Sequence, residues 1–513
     1  MNGITQAELD DKFKEPEWAE QDAQLARTDL KFLCRDLLSM GDWDECHDKL
    51  SEWRWQNRDR RFKLYMMPRG FLKTSILTVG GTIQDILNDF DTTVLLSSAG
   101  SENAASFLHL IKEYLTTKST LPLLFGEFAD YNGKWTTSEV IIRQRQKPNK
   151  TPTIDTAGIN KILTSQHYRI IRADDLVTRE TTTTGEQIQK VVNHIKDLLK
   201  LLDPDGFMEV VGARWDDRDA YWWILDELTK HDLGNEAFAV YRTGPVDEKT
   251  GQPIFPKKFS LQVLANLKRK IGSYEYSCNY ENDPTSPTNR IFQLPMRYWD
   301  SIPEDVAHVI TVDPAISKRE ESSDAVVVDT AESRGGQMFV VEYHAFKGVD
   351  KHPGRIIDKV VEYFLRFGAN VCGVEAVNYQ EVLKILLDDE LKKRGLNMEV
   401  LAIDQTEDKA RRIICLQAPW ERGDLLIKRG MAELEEQIEK FRKPIVAKCD
   451  ILDAIAMRKQ VPSELVVFKK NEPKYWVHER YRRDQRQSNP YEGRALPERD
   501  WYNLQARRGF TRR

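Results

Sequence analysis

The stretch Met-Pro-Arg-Gly-Phe-Leu-Lys-Thr-Ser at 67–75 follows the apolar run FKLYMM and precedes a helical pattern that starts near Ser75. A strand–loop–helix turn aims backbone N–H groups and a helix N-terminus at phosphates. In that reading Pro68, Arg69, Gly70, Phe71, Leu72, Lys73, Thr74 and Ser75 wrap a nucleotide. Lys73 reaches the β- and γ-phosphates, and the Thr74 hydroxyl ligates magnesium. Against the pattern G-x-x-x-x-G-K-[ST], Met67 and Leu72 stand where both glycines should be, so the loop alone leaves a plain basic turn open. A second segment adds support. HYRIIRADDLV at 167–177 is an apolar strand ending in adjacent acids, a Walker B arrangement. Asp174 at the strand exit suits a magnesium ion, and Asp175 can orient and deprotonate an attacking water. The alternative is an acid pair that only caps the next segment. Further on, VVGARW at 210–215 is a strand ending in a glycine and a base. Gly212 and Arg214 there could sense the γ-phosphate; an ordinary surface charge at Arg214 reads equally well.

A second chemistry is written in acids further along. Cutting a phosphodiester with two metals about 4 Å apart requires carboxylates that converge from distant parts of the chain. HVITVDPAIS puts Asp313 at one strand exit, and NVCGVEAVNYQ puts Glu375 at another. CDILDAIAM carries Asp450 and Asp453 three apart, on one helical face. Asp324, in SSDAVVV, opens the strand after Asp313. Singly each acid could simply face water, and Asp453 could equally bond a neighbouring backbone; their order on alternating strands and helices is what carries weight.

The elements needed to position these residues are legible. Residues 1–50 read as acidic-surfaced helices, such as AEQDAQLARTDLKFLCRDLL. From Phe62 short apolar runs (FKLYMM, TTVLLSSA, HYRIIRA, FMEVVGA, FAVYRT) alternate with longer helical patterns, the texture of a parallel α/β sheet. NDPTSPTNRIFQLP, with three prolines, reads as a linker. A second series follows: HVITVD, DAVVVDTA and QMFVVEYHAF as an antiparallel meander, then a helix near 352–367, NVCGVE, another helix and MEVLAID, and finally MAELEEQIEKF and CDILDAIAMRKQ. Meander first and βαβ later is the order of a ribonuclease H-like mixed sheet. The expected domains are a helical segment 1–50 attached to an α/β nucleotide-binding domain 51–283, a linker 284–305, a second α/β domain 306–461 and a basic, tail-like end 462–513.

Bulk properties agree with such a chain. At 513 residues it exceeds one core, and 40% hydrophobic with 31% charged residues is a globular composition. No stretch has the roughly 20 uncharged apolar residues of a bilayer span, and the acidic N-terminus has no signal-peptide core. Six widely spaced cysteines argue for reduced thiols and against zinc or disulfide frameworks. The net charge of −5 divides into +6 over residues 462–513 and −11 elsewhere. A basic tail on an acidic body suits a polyanion or an acidic protein, though a solubilising end fits as well.

In order along the chain, PRGFLKTS, DTAGINKILTSQHYRIIRADDL, VVGARWDDRDAY, CNYENDP, VDPAIS…SSD, GVEAVNY and CDILDAIAM resemble the motifs of the large terminase subunit of tailed bacteriophages. The resemblance runs from about Phe62 to Val461. It implies a P-loop ATPase of the ASCE type, with ATP and Mg²⁺ at Lys73, Thr74, Asp174 and Asp175 and coupling at Gly212–Arg214. It also implies a ribonuclease H-like nuclease holding two Mg²⁺ or Mn²⁺ ions on Asp313, Glu375 and Asp450. Partners implied are double-stranded viral DNA, the portal of a procapsid, a small terminase subunit and further copies in a ring, a pentamer, with no membrane. Such a protein works in the host cytoplasm, docks transiently on the procapsid and is left out of the mature virion. Three departures matter: Leu72 replaces the usual glycine, Asp175 stands where many relatives have glutamate, and Cys449-Asp450 stands where many have two aspartates. The last favours Asp450 over Asp453 as a ligand. Arg143 and Arg145 are candidates for the arginine a neighbouring copy would supply. An ATP-regulated repair or restriction nuclease is the competing enzyme class, and a scaffold that has lost its chemistry is a third reading.

Overall fold

The computed structural model describes residues 16–131, 133–161, 166–229, 237–284, 291–292, 295–314, 323–375, 381–404, 407–441 and 448–470. They form two compact units: the first takes in the described residues up to 292 and then 407–422, the second those of 295–404, 423–441 and 448–470.

The first unit is built on seven strands: β1 (Phe62–Met66), β2 (Val94–Ser98), β3 (Glu139–Val140), β4 (Ile154–Gly158), β5 (Tyr168–Asp174), β6 (Leu202–Gly212) and β7 (Ala239–Arg242). They lie in the order β3-β4-β2-β5-β6-β1-β7. All neighbours are parallel except the edge pair β3–β4. Strands β1, β2 and β4 are buried throughout, as a sheet covered on both faces demands. On one face lie α1 (Pro16–Thr28), α2 (Glu45–Gln56), α3 (Gly81–Asn88) and α4 (Ser101–Thr116), whose apolar residues join Tyr65, Leu96 and Val211 in one core. On the other, α5 (Gly185–Leu201) and α6 (Ala220–Glu227) pack against Leu64, Met66, Ile171 and Val210. Helix α5 has its Val191, Val192, Ile195 and Leu198 on one stripe and starts at Thr184, whose hydroxyl accepts from Gln187 N–H. The expected strands of this half are all present; β4, whose polar IDTAG gave no apolar run, is an addition.

Residues 407–422 depart from expectation. The sequence placed them inside the second domain, yet they pack in the first unit. Trp420 is fully buried beside Phe292 at a ring separation of 6.0 Å. The Tyr274 N–H donates to Gln417 Oε1 at 3.1 Å, and the Ser273 hydroxyl donates to Glu421. Burial of one large aromatic ring together with these bonds outweighs position along the chain.

The second unit has β8 (Asp305–Asp313), β9 (Ala325–Ser333), β10 (Met338–Phe346), β11 (Val371–Glu375), β12 (Glu399–Ile403) and β13 (Leu425–Ile427), ordered β12-β11-β8-β9-β10-β13. Strands β8, β9 and β10 run antiparallel, whereas β8–β11, β11–β12 and β10–β13 are parallel. One face is covered by α7 (Pro353–Phe367) and α8 (Glu381–Lys393). The opposite face receives α9 (Asp450–Ala456) and the turn Met457–Gln460 after it. The basic end starts later than expected. Val466 still packs against this core, and Lys469–Lys470 pair with Asp305–Val306 as β14, because the short edge of β8 left open by β11 accepts a strand there. Residues 471–513, with most of the tail's charge and its aromatics from Tyr475 onward, lie outside the described residues.

Candidate active sites

In the first unit the loop after β1 is pinned by aromatics. Phe71 is fully buried and stacks on Phe259 with centroids 4.8 Å apart and planes 8° apart. Gly70 has φ +81°, and a Cβ there would sit 3.0 Å from the Phe259 ring, so conformation and space both select glycine. Pro68 is buried, Arg69 and Gly70 are exposed, and Arg69 N–H donates to Asn279 O at 3.2 Å. Leu72 holds φ +58°, the left-handed conformation that a glycine would adopt freely. The backbone at this position is therefore glycine-like, and the partly buried Leu72 side chain packs on the core. Beyond it, Thr74–Gly80 winds as a π-helix that runs on into α3.

Three charges meet at this loop. Lys73 is 6% exposed; burial pulls its ammonium below the usual lysine range, against the attraction of Asp175 and Asp174. Asp174, at the exit of β5, is fully buried and accepts from the Thr78 hydroxyl at 2.5 Å through Oδ2. Burial, then the neighbouring Asp175 charge, push its carboxyl up to about 7, while Thr78, Lys73 and Thr74 draw it back. Its Oδ1 has no hydrogen-bond partner among the described residues. A buried carboxylate with the Thr74 hydroxyl beside it is a donor pair that would suit a hard divalent cation. Asp175 follows at φ +50° and is half-buried, its N–H donating to Val211 O at 3.0 Å. Backbone strain of this kind concentrates where a side chain must be aimed.

Strand β6 lies between β1 and β5. Gly212 ends it, and a Cβ there would come within 2.3 Å of the Tyr221 hydroxyl. That hydroxyl donates to Val211 O at 3.2 Å, the same carbonyl that receives the Asp175 N–H. Arg214 is held within the turn that follows β6. Its Nε lies 2.9 Å from Asp219 Oδ1, and its Nη2 donates to the Asp216 and Asp217 carbonyls at 2.9 and 3.0 Å. The guanidinium is buried and folds the turn whose Asp219 caps α6. Arg143 is exposed and paired with Glu127, whereas the Arg145 guanidinium nitrogens are buried, so only the former faces outward. Thr78, Tyr221 and a buried charge network beneath the site escaped the sequence reading. That network joins Arg172 to Glu209 at 2.9 Å and Glu209 to Arg54 at 3.1 Å, and Arg172 also pairs with Asp85. No motif marks them, because their partners are far away in sequence.

In the second unit the acids collect on one face at one end. On β8, Val309, Thr311 and Asp313 point one way, as do Val371, Gly373 and Glu375 on β11. Val309 and Val371 pack with Met457 and Val461, and the Thr311 hydroxyl donates to Ala454 O of α9 at 2.7 Å, so this is the α9 face. Val374 pairs with Val312, so Glu375 and Asp313 stand abreast at the strand exits. Asp313 pairs with Val326, which puts Asp324, two residues earlier, on the same face. From the helix, Asp450 Oδ2 accepts the Asp324 N–H at 2.8 Å, and Lys448 Nζ lies 3.1 Å from Asp324 Oδ1. Asp313, Asp324, Asp450 and Asp453 are all buried, and Glu375 is half-buried. Hard carboxylate oxygens of this kind suit Mg²⁺ or Mn²⁺. Among the described residues, however, no three His, Cys, Asp or Glu side chains are grouped to hold a metal ion. The expected ligands Asp313, Glu375 and Asp450 thus share a face and an end without forming a closed set, and Asp450 and Asp324 have oxygens engaged by a backbone amide and a lysine.

A largely parallel sheet with a basic loop at one strand exit and an acid pair two strands away defines a P-loop unit of the ASCE type. An antiparallel meander extended by parallel crossovers defines a ribonuclease H-like unit. Together they give the chain the α/β fold of the phage large terminases. The large terminase of a thermophilic bacteriophage, solved in complex with ADP, superposes with a TM-score of 0.51 at 9% identity, over 81% of this chain and 98% of that one. The HK97 bacteriophage large terminase aligns over 86% of this chain and 98% of its own, with a TM-score of 0.37 and 12% identity. No family model and no curated protein sequence matches the chain.

Proposed function

We propose that this protein is the motor subunit of a viral DNA-packaging machine: it hydrolyses ATP to drive double-stranded DNA into a procapsid and cuts that DNA with a metal-dependent nuclease. The observation that carries the reading is the meeting of Lys73, Asp174 and Asp175 at the loop after β1, in one chain with an acid-lined ribonuclease H-like sheet. Residues 68–75 wrap the phosphates. Lys73 supplies positive charge where the transferred phosphoryl group becomes more negative. Asp175 holds the attacking water and accepts its proton, and the left-handed backbone aims this shorter acid. Thr74 and Asp174 would hold Mg²⁺, which neutralises phosphate charge. In the nuclease, Asp313, Glu375 and Asp450 would hold one or two Mg²⁺ or Mn²⁺ ions that activate water and steady the leaving oxygen. Asp324, whose N–H donates to Asp450, and Asp453, one helical turn beyond Asp450, would assist. The domains we assign are the expected ones, with residues 407–422 moved to the ATPase and the tail beginning after Lys470. Viral DNA, a portal, a small terminase subunit and sister copies in a ring are the proposed partners, met in the host cytoplasm.

The test uses the full-length protein. Lys73→Ala should abolish phosphate release from ATP, and Asp175→Asn should still bind a fluorescent ATP analogue while losing hydrolysis. Both should still nick supercoiled plasmid with Mn²⁺. Parent-rate hydrolysis by Asp175→Asn would remove that residue from the chemistry.

A further inference from the structure

Every threonine inside a helix has a local option: its hydroxyl can donate to the carbonyl four residues back. Thr82 does so, to Thr78 O at 2.5 Å. Thr78, one turn after Thr74, does not. Its fully buried hydroxyl reaches across to Asp174 Oδ2 on β5, 96 residues away in sequence. Because that bond occupies one carboxylate oxygen, it fixes the rotation of the Asp174 side chain and leaves Oδ1 as the oxygen without a partner among the described residues. The turn that carries Thr78 is itself anchored. Arg172 Nη1 donates to Thr82 Oγ1 at 3.2 Å, and the same guanidinium lies 2.9 Å from Glu209 Oε2. Glu209 also receives Arg54 and the Tyr65 hydroxyl, each at 3.1 Å. Arg172 and Glu209 are both fully buried, so swinging this turn away would strand charges in the core.

We infer that Thr78 is a positioning residue for the Asp174 carboxylate. Its hydroxyl holds Oδ2 so that Oδ1 is presented to magnesium-bound nucleotide, and the Thr82–Arg172–Glu209–Arg54 chain keeps the hydroxyl in place. The inference rests on the phosphate-site reading above and adds a residue outside its loop and acid motifs. A carboxylate free to rotate would have to be reoriented each time magnesium binds, and that cost appears in magnesium affinity rather than in contacts to the nucleotide.

The experiment titrates a fluorescent ATP analogue onto the full-length protein at graded Mg²⁺ concentrations and in EDTA, alongside ATP turnover. Thr78→Val keeps the shape and removes the donor; it should raise the Mg²⁺ concentration for half-maximal binding by about ten-fold, the usual weight of a hydrogen bond to a charged group, with binding in EDTA unchanged. Thr78→Ser should stay within about three-fold of the parent. If Thr78→Val does not fold, as judged by its melting transition, Thr78→Ala is read by the same criteria. A parent-like Mg²⁺ dependence in the variant without a hydroxyl overturns the inference. So does a serine variant as impaired as the valine one, or an equal loss of binding in EDTA. Failure of the parent itself to bind the analogue would instead sink the phosphate-site reading, leaving the two failures distinguishable.

Discussion

Replacing Gly212 with alanine puts a methyl group where the Tyr221 ring already is. The added Cβ would stand 2.3 Å from the hydroxyl, 2.5 Å from Cε2 and 2.6 Å from Cζ. All three atoms belong to a flat, fully buried ring, so no flexible chain end can yield and the whole ring must move. Overpacking of this kind costs about 1–3 kcal/mol, or several degrees in melting temperature for a unit of this size. The ring cannot move without lengthening its 3.2 Å bond to Val211 O, the carbonyl that also holds the Asp175 N–H. If about 1.4–2.8 kcal/mol of that disturbance reaches Asp175, the acid we propose to position water, ATP turnover falls about ten- to a hundred-fold. Nucleotide affinity should change far less, since the loop at 68–75 is held by Phe71 and Phe259 instead. The assay is a double-mutant cycle of Gly212→Ala with Tyr221→Leu, read in both denaturant midpoint and phosphate release. Removing the ring's outer edge should make the alanine nearly neutral, giving a coupling of about 1 kcal/mol or more. Strict additivity, or a Gly212→Ala variant with parent turnover, would show that Gly212 is not kept small for Tyr221.

Three further outcomes follow from other parts of the molecule. Asp450→Ala should stop Mn²⁺-dependent plasmid nicking and leave ATP turnover intact, whereas Asp453→Ala should retain part of the nicking; equal loss from both would end the ranking of these acids. His194 is buried against Ser97 at 2.8 Å, and burial holds its pKa down at about 4. The unfolded chain therefore binds a proton near pH 6.5 that the folded one refuses until about pH 4. Stability should thus fall with pH through that window, by on the order of 3 kcal/mol at most, and His194→Gln should flatten the fall; an unchanged parent-minus-variant difference between pH 7 and pH 5 refutes it. Truncation after Lys470, which spares the Lys469–Lys470 pairing with β8, should leave both activities but abolish packaging. If it instead lowers the salt slope of DNA binding by several units, at about 0.9 per phosphate released, the tail is a DNA clamp.

Which elements form was written locally. Short apolar runs made β1, β5, β6, β8, β9 and β11, which are covered on both faces, and 3.6-residue stripes made helices such as α5 and α7, which bury one. The acids at strand exits were visible for the same reason, since a strand's end is where its last side chain leaves the core. IDTAG was missed because its burial comes from neighbours on both sides rather than from its own apolarity. That residues 407–422 pack in the first unit is not legible in the sequence, because the partners of Trp420 and Gln417 lie some 120–145 residues upstream. For Arg214 the sequence leaves a coupling role and an ordinary surface charge equally open, and its pairing with Asp219, five residues on, appears only once α6 folds. The bond from Thr78 to Asp174 and the Arg172–Glu209–Arg54 network depend on side chains from separate strands and helices reaching one buried point. Such partners carry no spacing signal: composition and periodicity set what each segment becomes, and only packing decides which polar groups must satisfy one another inside.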